Sequence, residues 1–278
     1  MSQSRPEQDR EVAMQREVAR VALAGVDGFV LAGSGAIREH GMIERPTEDV
    51  DLFTTSQDVP AFGAAVDQVI DQLRGNGYQV ELTRQAPQYA RLHVAAEDGL
   101  QLDVDLGVDW RHDDPVFLSV GPVLSLADAV GNKVSALYSR GEARDYLDVD
   151  AIRASNRFTD DQLVTAAAER DAGFEVGMFA QQLAAASRLQ PAQVARYGVT
   201  ADQLETVKAR CLEWAETLRS PTGTEATAAV SSEDLRGLIE RRQAGFPTPA
   251  TDATRRPPGP QERPTQHHHP DPDRCIEL

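Results

Sequence analysis

Asp49 and Asp51 are spaced two apart in the run EDVDLF, and side chains two apart on a strand point the same way. Val50 and Leu52 can then face a core while both acids face one accessible spot. Two carboxylates held that close repel unless a cation sits between them, and a hard divalent metal that accepts carboxylate oxygens is the usual choice. Upstream, Phe29-Val30-Leu31-Ala32 reads as a strand ending in a Gly33-Ser34-Gly35 turn, followed by a short helical run from Ala36 to His40. A Gly-rich turn that opens a helix offers bare backbone N–H groups to a phosphate. A phosphate cradle beside a pair of metal-binding acids is the equipment of phosphoryl or nucleotidyl transfer.

A two-metal transfer site needs a further carboxylate from a neighbouring strand. The segment Leu100 to Leu106 supplies one: Leu102, Val104 and Leu106 share a face, and Asp103 and Asp105 share the other. Such a strand lies either inside the sheet, with its acids in the site, or at an edge with its polar face in water. Further on, Lys133 sits one turn from Val130 and Leu137, beside an apolar stripe, where an ammonium is costly unless it reaches a partner. A triphosphate would serve; so would a snorkel to solvent. Asp145 and Asp148, at i and i+3, share a helix face and could pair with Arg144, hold Lys133, contact a nucleotide or remain solvated.

Positioning these groups requires strands and helices in a definite order. Residues 7 to 25 read as a helix, and 28 to 53 as strand, turn, short helix, loop and strand. From Val59 to Arg74 the apolar positions Phe62, Val66, Val69, Ile70 and Leu73 recur at helical spacing, and Gly75-Asn76-Gly77 supplies the stop. The period then changes to two: Tyr78 to Thr83, Tyr89 to Ala95 and Leu100 to Leu106 alternate as strands, with a hairpin turn at Glu97-Asp98-Gly99. Ser125 is placed to cap a helix from Leu126 to Tyr138, with Gly141 as its stop, and a second helix covers Ala143 to Ala154. Beyond it the pattern is helical throughout: Thr159 caps a run to Arg170, Phe174 to Leu189 follows, and Ala201 to Leu218 carries Leu204, Val207, Cys211, Trp214 and Leu218 on one stripe.

The expected fold class is α/β, with a mixed-sheet catalytic domain over residues 1–155, a helical domain over 156–220 and a Pro-rich tail over 221–278. Nine of the 16 prolines fall between Pro221 and Pro272, where apolar residues thin out, so the tail is expected to be mostly disordered, with one short helix at Ser232 to Arg242. Its His267, His268 and His269 lack a second ligand cluster and are read as incidental.

Composition narrows the function. The formal net charge of −16 argues against a broad, sequence-independent grip on DNA. A local basic patch remains available, since Arg38, Arg45, Arg84, Arg91, Arg111, Arg140, Arg144 and Arg153 all lie in the first 155 residues, although solvated arginines are the simpler reading for most of them. Only Cys211 and Cys275 occur, no run approaches the length of a membrane span, and the N-terminal residues lack a signal-peptide pattern, so a reducing cytoplasm is the expected location and no membrane partner is expected.

Together, the Gly33-Ser34 turn, the Asp49-Val50-Asp51 pair and the later acidic strand resemble the common core of the minimal nucleotidyltransferase superfamily, in the AbiEii-type branch of toxin–antitoxin and abortive-infection toxins. NKVSALYSRGEARDYLDVDAI, residues 132 to 152, resembles that branch's second signature, a Lys on a helix followed by an Arg-Asp-x-x-Asp turn. The similarity spans roughly residues 20 to 155 and extends into the helical half to about 220. It implies that Ser34, with the backbone of Gly33 and Gly35, holds a nucleoside triphosphate together with Lys133 and Asp145. It also implies that Asp49, Asp51 and Asp105 hold Mg2+ or Mn2+, with Asp105 fitting the family pattern better than Asp103 and activating the acceptor hydroxyl. Lys133 and Asp148 complete the implied catalytic set. An RNA acceptor such as the tRNA 3′ end and a cognate antitoxin are the implied partners. The order Gly-Ser-Gly departs from the branch's usual Gly-Gly-Thr-like turn, and 14 residues separate Ser34 from Asp49. The competing expectations are a small-molecule, antibiotic-type nucleotidyltransferase and a non-catalytic nucleotide-binding regulator.

Overall fold

A computed structural model describes residues 5–45, 47 and 49–220. The expected disordered tail, its short helix and its histidine run lie outside these residues. Helix α1 (Arg5–Leu23) leads into β1 (Val30–Leu31), α2 (Gly33–Glu39), β2 (Asp49–Thr54) and α3 (Val59–Gly75). Strands β3 (Gln79–Ala86), β4 (Tyr89–Ala95) and β5 (Gln101–Val108) follow, then β6 (Val116–Leu118) and β7 (Gly121–Val123). The remainder is helical: α4 (Leu126–Ser139), α5 (Ala143–Ala154), α6 (Asp160–Ala168), α7 (Val176–Ala184), the single turn α8 (Pro191–Val194) and α9 (Ala201–Arg219).

The strands form one sheet in the order β3-β4-β5-β2-β1-β7-β6. It is mixed, because β2 pairs parallel with β5 and β1 parallel with β7, while the other neighbours are antiparallel. β5 is therefore an interior strand between β4 and β2, which removes the edge-strand reading of its acids. Alternation places Val50 and Leu52 of β2, Leu92 and Val94 of β4, and Val104 and Leu106 of β5 in the core. α1 packs against β2 and α3 against β3. α3 carries Phe62, Val66, Val69, Ile70 and Leu73 into that core; Asp58 caps its start by accepting from the Ala61 N–H, and Gly77, at φ +90°, turns the chain out of it. α2 and α4 pack together near β2, so the acidic face of the sheet is overhung at the β2 end and open at the β3–β4 end.

Several boundaries differ from the sequence reading for identifiable reasons. Gly33, Ser34 and Gly35 are the first turn of α2 rather than a turn ahead of it. The helix expected over Phe174 to Leu189 tightens at Ala185–Arg188 into a 3-10 turn. β6 and β7 are three residues each, too short to show a period.

Candidate active site

Register builds the acidic centre. On parallel β2 and β5, Asp51 is paired with Asp105 and Asp49 with Asp103, so all four acids point to the same face. Asp49, Asp51 and Asp105 each offer a carboxylate oxygen, and these oxygens lie within 4.8 Å of one another. Asp103 points instead toward β4, where its Oδ1 is 3.0 Å from Nδ1 of His93. The two acids of β5 thus differ in surroundings: strand alternation left them side by side, the family resemblance favoured Asp105, and it is Asp105 that lies with Asp49 and Asp51.

Such crowding has an electrostatic cost. Burial, then the neighbouring charge of Asp49, pushes the Asp51 carboxyl up to about 7, against the pull of Lys133. Asp105 is partly compensated: Arg91 of β4 grips it with Nε on Oδ1 at 2.7 Å and Nη2 on Oδ2 at 2.6 Å, and the Tyr89 hydroxyl donates to Oδ1 at 2.8 Å. A converging, all-oxygen donor set fits a hard divalent cation such as Mg2+ or Mn2+.

Gly33 makes room for this centre. Its φ of +55° is left-handed, and a Cβ placed there would lie 1.8 Å from Oδ2 of Asp51. The Ala32 N–H donates to the Asp51 carbonyl at 2.8 Å, which fixes the start of α2 against β2.

Behind the acids lies a buried polar network. Lys133 on α4 is 5% exposed, and its Nζ donates to Ser34 Oγ at 2.5 Å and reaches Asp148 Oδ2 at 2.9 Å. Arg45 donates to both oxygens of Asp148 and, at 3.1 Å, to Ser34 Oγ, while the Ser34 hydroxyl donates to Asp148 Oδ2 at 3.0 Å. Desolvation works to raise the pKa of Asp148, but Lys133 and Arg45 outweigh it and hold the carboxyl below its ordinary value. Asp148 thus has Lys133 and Arg45 as partners, whereas Arg144 is paired with Glu142. Asp145 is fully buried, bonds the Glu142 N–H in a capping box at the start of α5 and takes a two-pronged ion pair from Arg140.

An open cleft of about 380 Å3 begins at Gly33 and Asp51 and is walled by Phe53, Asp109, Trp110, Asn132, Lys133 and Arg140. Sequence reasoning singled out neither Arg45, Arg91, Arg140, Tyr89 nor Trp110 for this site. For Arg91 and Tyr89 a signal existed, because strand alternation puts both on the face of His93 and hence of the β5 acids. Arg45 lies in a loop 103 residues from Asp148, and no local pattern connects them.

A family model for the AbiEii toxin, a nucleotidyl transferase of type IV toxin–antitoxin systems, matches residues 18–256. A candidate nucleotidyltransferase from H. pylori of known structure is similar at 17% identity and a TM-score of 0.51, covering 78% of this chain and 96% of that one. MenT4, a nucleotidyltransferase toxin from Mycobacterium tuberculosis H37Rv, is similar at 16% identity and a TM-score of 0.50, covering 84% of this chain and 93% of that one. At such identities the likeness is one of fold. No curated protein sequence matches the chain.

Proposed function

The chain belongs to the AbiEii nucleotidyltransferase toxin family, and from that premise we propose that it transfers an NMP from a bound NTP to the terminal hydroxyl of an RNA, with the tRNA 3′ end as acceptor. The observation that carries the reading is the convergence of Asp49, Asp51 and Asp105 oxygens within 4.8 Å, beside a cleft lined by Asp51, Gly33 and the largely buried Lys133. Asp49, Asp51 and Asp105 would hold Mg2+ or Mn2+, which when bound would supply positive charge for the attacking and leaving oxygens.

This chain's own residues do the rest. Asp105 accepts the proton of the acceptor hydroxyl as that oxygen bonds to the α-phosphorus, the α–β bridging bond breaks, and pyrophosphate leaves. Lys133 has spent donors on Ser34 and Asp148 and keeps another for the triphosphate. Asp148 and Arg45 orient that ammonium, and Ser34, whose hydroxyl is engaged on all sides, acts through it. The first-turn amides of α2 at Gly33, Ser34 and Gly35 have no intrahelical acceptor, and Gly33 lines the cleft in which the phosphates would lie. Asp145 contributes by fixing Arg140 on the cleft wall. These residues all lie within 1–155, the segment we assign as the catalytic domain, with 156–220 as a helical domain. A cognate antitoxin and a cytoplasmic site of action complete the proposal; among the described residues, no helix is long and apolar enough to cross a membrane.

The test is incubation of purified protein with each of the four α-32P-labelled NTPs and Mg2+, offering total tRNA and a panel of small hydroxylated antibiotics. Label in tRNA from one preferred NTP supports the reading. Label in a small molecule reassigns the acceptor, and no transfer from any NTP removes the catalytic reading.

A further inference from the structure

The acidic centre has two unlike sides. Toward α2 and α4 lies the cleft with Gly33 and Lys133, whereas toward β4 and β3 the same face of the sheet continues into the open. Tyr89, Arg91 and His93 share the face of Asp105 and Asp103, because β4 is antiparallel to β5 with Arg91 opposite Asp105 and His93 opposite Asp103. One strand further out, Arg84 of β3 is opposite Arg91.

That last pairing depends on an irregularity. Leu82 pairs with Leu92, and in an unbroken ladder Thr83 would then face Arg91 while Arg84 turned to the opposite face. A bulge between Leu82 and Arg84 moves the register by one, so Arg84 is brought onto the active-site face directly across from Arg91. Thr83 is absorbed in the bulge, its hydroxyl donating to the Arg91 carbonyl at 3.1 Å. Like charges directly opposite on neighbouring strands are destabilising, and here a local deformation creates such a pair. Arg91 is partly compensated by Asp105, and the Arg84 guanidinium lies over the Tyr89 ring at 5.4 Å. Two cations and an aromatic ring thus lead away from Asp105 in a chain of net charge −16. The patch is bounded, because Glu81 lies opposite His93 and, with Asp103, returns the far end of the face to negative charge.

We propose that this patch is the acceptor site: the single-stranded 3′ end of an RNA crosses β3 and β4, its phosphates on Arg84 and Arg91 and a base on Tyr89, with its terminal hydroxyl at Asp105. This rests on the nucleotidyltransferase reading and adds where the acceptor lies. Interleaved cations and an aromatic ring are what single strands require. In-line displacement requires acceptor and leaving group on opposite sides of the α-phosphate, and the acidic centre separates this patch from the Lys133 cleft.

The test uses the full chain and a 5′-fluorescein single-stranded RNA 12-mer, with binding read by anisotropy without NTP and transfer read separately. Arg84→Glu is expected to weaken binding roughly tenfold and lower the salt slope by about 0.7. Arg84→Lys should restore most of the affinity, and Tyr89→Ala should lose roughly tenfold where Tyr89→Phe does not. Arg84→Glu should raise the KM for RNA and leave the KM for NTP unchanged. Arg188→Glu, the same charge change on an exposed residue elsewhere, should leave binding as it is. Equal affinity for wild type and Arg84→Glu, or an equal loss in Arg188→Glu, overturns the acceptor site even if tRNA is labelled. Absence of transfer with the binding pattern intact overturns the catalytic reading and leaves the RNA site standing.

Discussion

Asp51 and Asp105 face each other directly across the parallel β2–β5 ladder, two carboxylates at a position where like charges oppose folding. On the proposed reading, their proximity would serve a bound cation at the expense of the metal-free protein. Asp51→Asn is therefore expected to stabilise the metal-free chain by roughly 1 kcal/mol, read as a higher urea midpoint in EDTA. The same substitution should lower nucleotidyl transfer by on the order of 10^3-fold. A variant less stable than wild type in EDTA contradicts the electrostatic account.

Divalent cations should stabilise the wild type and not Asp51→Asn. Binding to the native state alone adds about 2.7 kcal/mol at a concentration 100 times the dissociation constant. A thermal shift series in Mg2+ and Mn2+ checks this, with a concentration-dependent rise expected only where all three carboxylates are present.

Gly33→Ala should disable the site more than the fold. The added methyl would overlap Oδ2 of Asp51, and φ is +55° there. A stability loss of roughly 1–3 kcal/mol is expected, together with loss of Mn2+ binding by calorimetry. Retained Mn2+ affinity would show that α2 does not set the position of Asp51.

Asp148→Ala leaves Lys133 and Arg45 buried without their shared counter-charge and should cost roughly 3–5 kcal/mol. The pH dependence has a definite sign. The folded carboxyl is held below its unfolded value by Lys133 and Arg45, so its stabilisation is present above about pH 4 and is lost as pH falls toward the folded value. Asp148→Asn should flatten the acid limb of stability against pH. An unchanged acid limb contradicts the assigned charge pairing.

The alternation of β2, β4 and β5, the caps Ser125 and Thr159 and the stripe of α9 were all legible in the sequence, because each is a local pattern that tertiary packing reinforced. The strand pairing that sets Asp105 opposite Asp51 follows once β5 is interior, yet the sequence leaves interior and edge positions open. What escaped local reading was mostly non-local. Arg45 joins Asp148 from a distant loop, and the β6–β7 hairpin is held to the sheet through the pairing of Leu31 with Val123 rather than by a pattern of its own. Asp145 was legible as an acid on α5, but its capping role depends on Glu142 standing where Ser or Thr is usual. The bulge at Thr83 has no signature in the sequence, and it decides which face Arg84 occupies.

The central claim, that Asp49, Asp51 and Asp105 jointly bind the cation of nucleotidyl transfer, is tested most directly by anomalous scattering from crystals grown with Mn2+ and a non-hydrolysable NTP analogue. The account predicts manganese density bonded to oxygens of all three carboxylates, with the triphosphate running toward Lys133. Manganese bound elsewhere, or a triphosphate seated away from the Gly33 cleft, would contradict it.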